Sequence, residues 1–412
     1  MVPLHLHLNA MQVSNKAAHL IGSEIIKLAG EINALKAQGK DILNLTIGDF
    51  DPSVFPLPQA LSEGIQAAYR AGETNYPPAD GIAPLRAAIA QWYADALQLP
   101  CNPNTEVLVA GGGRPLIYAI YQAWVNPGEH VVYPVPSWNN NHYTYLVGGT
   151  PVELEALPEN GFMPTPEQVL PTLETASLLA LCSPLNPTGT VFTADGLGAL
   201  CDAVLEENRR RANSGRRPVL VLYDQIYWTL TGDDTAHVHP VGLRPEMKEF
   251  TVYVDGISKS FAATGVRVGW SVGPAPLIAK MKTLLGHLGA WAPKPEQVAV
   301  ARYLGTPQAD QDVRVIQKAS LDRLLALHAG FQALKAEGFP VDSIAPQGAI
   351  YLSVRVDLPD ATARLLNDAG IALVPFGAFG ASATSPWFRL SVGTLHRTDI
   401  EPLLHRLRSL FA

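Results

Sequence analysis

Most residues of this chain that can do chemistry sit in short segments punctuated by glycine and proline. In GISKSFAATGVRVGW, Lys259 stands eight residues before Arg267. A lysine amine attacks carbonyl carbons and then carries a proton, and a guanidinium offers a planar fork of donors suited to phosphate. Taken alone, the two also read as exposed charges on a loop. AGGGRPLIYAI puts Gly112, Gly113 and Arg114 at a turn feeding a helix, where free N–H groups and the helix dipole suit a phosphate. Asp224 and Tyr227 close VLVLYDQIYW, and an aspartate there is either a counter-ion or a plain cap. Asn186 in SPLNPTG lies in what is otherwise an ordinary Asn-Pro turn. Trp138 in PSWNNN offers either a flat stacking surface or one more core indole. His5 and His7 are a metal pair or part of a flexible tail, and Met11 is a second candidate start.

These segments need elements to position them. EVLVAGGG, HVVYPVP, TPVELEA, LLALCSP, PVLVLYD and TVYVDGIS are apolar, β-rich runs separated by helical patterns such as PLIYAIYQAWV and ADGLGALCDAVLEENRRR. Strands alternating with helices predict a mainly parallel sheet covered on both faces. In such a sheet ligands bind beyond the carboxyl ends of the strands, where GGG, PVPSWNNN, SPLNPTG, DQIY and GISKS fall. Before this region a helix is expected over Ala17–Ala37, then a short strand in DILNLTIG and a proline-rich loop. After about residue 300 a long helix, strand-like AIYLSVRV, IALVP and FRLSVG, and a last helix predict a smaller α/β unit. The expected domains are therefore 54–298 for the large one, 14–53 with 299–412 for the small one, and 1–13 as a flexible tail.

The gross numbers narrow the function. The 412 residues are 47% hydrophobic and 16% charged, a balance for a buried-core globular enzyme rather than a disordered chain. A net charge of -7 gives no general pull toward nucleic acid or anionic membrane. The run RRRANSGRRP reads as a solvated helix end and loop. Three widely spaced cysteines suggest neither a disulfide framework nor a zinc site, so no metal is expected and a reducing cytoplasm fits. No secretory signal and no stretch of roughly 18 apolar residues is present.

Taken together and in order, the segments from about residue 17 to residue 410 resemble the class I/II aminotransferases, enzymes of fold type I that use pyridoxal 5'-phosphate (PLP). GISKSFAATGVRVGW resembles their Schiff-base motif. The resemblance implies Lys259 as the cofactor lysine and Arg267 on the phosphate. It implies Asp224 beside the pyridine nitrogen, Tyr227 and Asn186 on the phenolic oxygen, and Trp138 stacked on the ring. Gly112, Gly113 and Arg114 then form the phosphate turn, and Tyr76 of NYPPADG reaches the phosphate of a partner subunit, which implies a homodimer. Arg389 in FRLSVGT and Gly48 would hold the substrate α-carboxylate, with Asn186 and Arg114 also on the substrate side. Two departures stand out: the family often has Ser where this chain has Gly256, and Gly-Glu-Pro-Asp where it reads Gly48-Asp49-Phe50-Asp51-Pro52.

The implied activity is ping-pong transamination between an L-amino acid and a 2-oxo acid such as 2-oxoglutarate. Arg114 favours aspartate or glutamate if it reads a distal carboxylate, whereas the segment GAWAPKP supplies Trp291 and Lys294, of which Trp291 would admit aromatic substrates. A PLP-dependent C–S β-lyase uses the same motifs. A PLP-sensing regulatory domain is the other alternative, for which a basic helix-turn-helix ahead of residue 17 would be the mark.

Overall fold

A computed structural model describes residues 13–22 and 24–411. The expected tail over 1–13, with His5, His7 and Met11, lies outside the described residues apart from Val13. Among those described, the central layer is a seven-stranded sheet in the order Val107–Ala110, Gly269–Val272, Thr251–Gly256, Leu220–Asp224, Ala176–Cys182, His130–Val135, Thr150–Glu155. Gly269–Val272 alone runs antiparallel to its neighbours. The sheet is thus mainly parallel, as the sequence implies. The antiparallel strand, read in the sequence only as part of the Lys259–Arg267 motif, is an addition.

Alternation explains why both faces are covered. Val107, Val109, Val132, Leu179, Val221 and Tyr253 enter one core with the helices Ala83–Leu97, Ala194–Asn213 and Lys294–Tyr303. Leu108, Ala110, Val131, Leu178, Leu222 and Val254 enter another with Gly113–Trp124 and Ala275–Leu288. Successive strand residues point to opposite faces, so near-continuous apolar runs are what a doubly covered sheet demands. Full burial of each large apolar side chain contributes about 1.5–3 kcal/mol.

A second, antiparallel sheet orders Val374–Pro375, Trp387–Ser391, Tyr351–Val356 and Val341–Ser343. It packs with the helices Pro307–Ala336 and Ile400–Phe411 on a core that includes Leu324, Phe331, Leu352, Leu390 and Leu403. That core also takes in Leu45, Phe50 and Phe55 from the N-terminal region. Leu43–Asn44 pairs in parallel with Ile371–Ala372.

Three expectations change in detail. The helix expected over Ala17–Ala37 is two, Asn15–Ala18 and Glu24–Ala37, with Gly22 in the break. IALVP splits between Ile371–Ala372 and Val374–Pro375, which belong to different sheets. In the arginine run, Arg211 is buried rather than solvated: it bonds Glu207 at 2.8 Å and the carbonyl of Leu173 at 2.6 Å. A guanidinium can be withdrawn from water this way because its donors find a carboxylate and free carbonyls.

Close backbone approach explains the missing serine. Gly256 pairs with Gly269 across the two strands, and a Cβ on Gly256 would lie 2.8 Å from both the Gly269 Cα and the Val268 carbonyl oxygen. A Cβ on Gly269 would in turn lie 2.7 Å from the carbonyl carbon of Gly112. The Lys259 turn and the GGG turn are pressed together through these glycines. Gly256→Ala should therefore lower stability by about 1–3 kcal/mol through overpacking, read as a lower urea midpoint at unchanged m-value; an unaltered midpoint would show that the strands have room to part.

Candidate active site

The parallel strands end on one edge, and their last residues bring the sequence segments together. Asp224 and Cys182 are in-register neighbours at two strand ends. Gly256 ends the next strand, and Lys259 follows in the short helix Ile257–Ser260. Because Val107–Ala110 and Thr251–Gly256 are both antiparallel to Gly269–Val272, the GGG turn opens on the same edge. Gly112 sits at φ +95°, where an L side chain is strained; its Cβ would also run into the Arg267 guanidinium. The N–H groups of Gly113 and Arg114 begin the helix Gly113–Trp124, where no earlier turn can engage them.

Lys259 is 9% exposed. Its Nζ donates to the Gly48 carbonyl at 2.6 Å and lies 5.7 Å from the ring centres of Phe50 and Tyr227. Burial, together with the guanidiniums of Arg389, Arg114 and Arg267, pushes the amine down to about 8, and Asp49 opposes them. Arg267 adopts a left-handed backbone at φ +62°, a conformation few non-glycine residues take. Its guanidinium donates to the carbonyls of Thr264 at 2.7 Å and Gly111 at 2.8 Å. Arg389, 2% exposed in the middle of the second sheet, donates to Asn186 Oδ1 at 3.0 Å and to the Thr46 carbonyl at 2.6 Å. It lies over the rings of Tyr351 and Phe379 at 4.7 and 4.9 Å, and its Nε has no partner among the described residues.

Asp224 accepts one backbone N–H, from Ile226 at 3.1 Å, and burial pushes its carboxyl up to about 6. The Tyr227 hydroxyl meets that of Tyr351 at 2.7 Å. Trp138 is half-buried and carries Arg114 over its ring at 4.7 Å. So Lys259, Asp224, Tyr227, Asn186, Arg267, Arg389, Gly48, Gly112, Gly113, Arg114 and Trp138 gather around one cleft. Tyr76 does not join them within the chain: it is 82% exposed and packs edge-on against Trp291 at 5.2 Å. Lys294 is engaged with Glu73 at 2.8 Å and so braces the Tyr76 segment.

Several participants were not legible. Tyr351, Thr46 and Thr264 are ordinary residue types whose role comes from partners far along the chain, Tyr227, Arg389 and Asp49, and Phe379 is an ordinary aromatic that gains its role from Arg389 ten positions on. Behind the sheet, Asp255 accepts from Gly256 N, Trp228 Nε1 and Tyr93 Oη at 2.7, 2.8 and 3.0 Å. It thereby ties the Lys259 turn to the turn carrying Tyr227. Burial outweighs these donors and leaves its carboxyl raised to about 8.

The family model for aminotransferase class I and II matches residues 40–407. The chain belongs to this family. It is 31% identical over 379 residues to the aspartate aminotransferase of Geobacillus stearothermophilus, covering 90% of this chain and 92% of that one. It is 32% identical over 357 residues to the aspartate/prephenate aminotransferase of Thermus thermophilus, with 84% and 86% covered. Among solved structures it resembles the aspartate aminotransferase from Rhizobium meliloti with a TM-score of 0.88 at 27% identity, covering 97% of this chain and 99% of that one. This aminotransferase is accordingly PLP-dependent, and aminotransfer is the one of the three activities open from sequence that the comparisons support.

The residues present fit PLP. Asp224 is a carboxylate without a cation beside it among the described residues, Arg267 donates only to two backbone carbonyls, and the glycines at 48 and 112 let the Tyr351 hydroxyl and the Arg267 guanidinium come close to the backbone, where a Cβ would displace them.

The shifted amine has a measurable consequence. Lys259's folded pKa lies below its unfolded value of 10.5, so the charged amine destabilises the cofactor-free fold fully below pH about 8, and the cost fades as pH rises from there to about 10.5. Lys259→Met should be the more stable apoprotein at pH 7, with the gap narrowing by about 3 kcal/mol toward pH 10.5. A gap in unfolding free energy that is flat with pH would sink this assignment.

Proposed function

We propose that the chain transfers the amino group of an L-amino acid, aspartate- or glutamate-like, to a 2-oxo acid such as 2-oxoglutarate by a ping-pong sequence, with Lys259 as the catalytic lysine. The observation that carries this reading is the placement of the Lys259 amine, withdrawn from water and lowered to about 8, in a cleft shared with Arg389, Arg267 and Asp224. Bound there, PLP supplies an electrophilic aldehyde carbon and a ring that withdraws electrons from the substrate Cα.

The residues divide the remaining work. Arg267 and the free N–H groups of Gly113 and Arg114 would hold the phosphate beside the turn at Gly112, and the arginine keeps its orientation because Thr264 and Gly111 fix the guanidinium. Asp224 keeps a proton on the pyridine nitrogen, and pairing with that cation offsets the burial that otherwise lifts its carboxyl. Tyr227 and Asn186 donate to the phenolic oxygen, and Trp138 shields the ring face. Arg389 clamps the α-carboxylate beside Gly48, exchanging the Thr46 carbonyl and Asn186 amide oxygen for a charged partner. An amine with a pKa near 8 is partly neutral at physiological pH, so Lys259 can take the Cα proton and return it.

Arg114 supports the dicarboxylate preference: it is exposed with its guanidinium on the Trp138 face, and the relatives carry the names aspartate aminotransferase and aspartate/prephenate aminotransferase. The exposed Tyr76, braced by Trp291 and Lys294, supports a homodimer in which each subunit lends that tyrosine to its partner's phosphate. Residues 54–298 would form the cofactor-bearing domain, and 14–53 with 299–412 the small domain. The pairing of Leu43–Asn44 with Ile371–Ala372 supports that grouping. Among the described residues no helix is long and apolar enough to cross a membrane, and a cytoplasmic location agrees with the free Cys101, Cys182 and Cys201.

Single L-amino acids added to the holoenzyme without an oxo acid test the proposal. Aspartate or glutamate should abolish the visible cofactor absorption while an equal amount of 2-oxo acid appears, and Lys259→Ala should lose that response. Pyruvate and ammonia released from a sulfur amino acid, with the band intact, would replace aminotransfer by β-elimination. Arg389→Ala should cut kcat/KM for every donor by about 100-fold or more, whereas Arg114→Leu should cut it only for acidic donors.

A further inference from the structure

The loop Thr46–Phe50 departs from the family's usual pattern, and it reaches the buried cations Lys259 and Arg389 directly and the half-buried Arg267 through Thr264. Its Thr46 carbonyl accepts from Arg389 and its Gly48 carbonyl from Lys259. Its Asp49 carboxylate accepts from Phe50 N at 2.7 Å and from the Thr264 hydroxyl. Thr264 lies between Lys259 and Arg267, and its own carbonyl fixes the Arg267 guanidinium at 2.7 Å. The Asp49 carbonyl region is in turn seated on Gly393, where a Cβ would collide with it. A single side chain therefore joins the loop over the lysine to the turn that carries the lysine.

We propose that Asp49 is a positioning residue that pins the Gly48 carbonyl onto Lys259 through Thr264 and keeps a carboxylate within Coulombic reach of the lysine without a direct bond, favouring the cationic form of its nitrogen. The inference rests on Lys259 being the cofactor lysine. The charged and titratable groups facing that nitrogen are Arg389 from the second sheet, Arg114 from the helix Gly113–Trp124, Arg267 from the following turn, Tyr227 from the strand-end loop, and Asp49. Three of the five are guanidiniums that disfavour a positive charge on the nitrogen. Asp49 is the carboxylate that opposes them. Without it the nitrogen would face burial and three like charges, and its proton would leave at lower pH.

Two titrations read this directly. In the cofactor-free full chain, the pH dependence of Lys259 acetylation by acetic anhydride, followed by peptide mass spectrometry, gives the amine midpoint. In the holoenzyme, the pH titration of the visible absorption gives the midpoint with cofactor in place. Asp49→Asn keeps the shape and removes the charge, and should lower both midpoints by about one pH unit. Asp49→Ser carries the same expectation should the amide variant fail to fold. Asp49→Glu should return both midpoints toward the parent values. Thr264→Val, which cuts the tie and leaves the charge, should raise KM for the amino donor severalfold with a smaller midpoint shift. Midpoints that stay in place in folded Asp49→Asn and Asp49→Ser overturn the inference. Lys259→Ala that still transaminates overturns the functional reading instead, so the two failures are distinguishable.

Discussion

Lys259 and Arg389 hold positive charge where little water reaches, Arg267 sits half-buried beside them, and among the described residues no carboxylate bonds directly to any of the three. Burying a cation without an anion costs several kcal/mol unless other acceptors take its protons. Here backbone carbonyls do so: Gly48 for the lysine, Thr264 and Gly111 for one arginine, Thr46 for the other, with the Asn186 amide oxygen beside it. Carbonyl dipoles offset only part of the lost hydration, and the lowered pKa values of Lys259 and Arg389 record the remainder. A ligand bearing phosphate and carboxylate groups brings the missing anions, so the same imbalance that weakens the empty fold strengthens binding.

Holding carbonyls at these positions makes demands on the rest of the chain. Gly112 must take a positive φ, and Gly256 and Gly269 must let three backbones meet. Arg389 needs a central strand, bonded on both sides, so that its guanidinium lies between two aromatic rings. Asp255 anchors the reverse side, where Trp228, adjacent to Tyr227, and the start of the Lys259 turn bond to the same carboxylate. The edge of a parallel sheet suits this work because each strand ends in a turn whose free backbone groups point at one place.

The parts readable from sequence were those whose chemistry demands a rare combination at short range. Lys259 with Arg267, Asp224 with Tyr227, and Asn186 in its Asn-Pro turn each carry their information within a few residues, and the apolar runs before them announce the strands. Tyr351 and Thr46 were illegible because their meaning depends on partners 124 and 343 positions away. The strand Gly269–Val272 was hidden inside a motif read for its lysine and arginine. The break at Gly22 is not legible because apolar spacing continues across it, and spacing alone does not register a backbone interruption.

The two arginines assigned to substrate differ in how firmly they are held, and that difference suits an enzyme whose single pocket must take two side chains in turn. Arg389 is fixed by two hydrogen bonds and two ring faces, so the α-carboxylate, common to every amino acid and oxo acid, would meet a rigid clamp in the proposed role. Arg114 is exposed and rests against one ring face. A cation on an indole face is held by about 0.5–1 kcal/mol at exposed sites, little enough for a distal carboxylate to draw it away and for an uncharged side chain to leave it in place. In the proposed roles, Trp138 would both shield the cofactor and park the arginine that discriminates among substrates, so substitutions at Trp138 should alter substrate preference as well as ring binding.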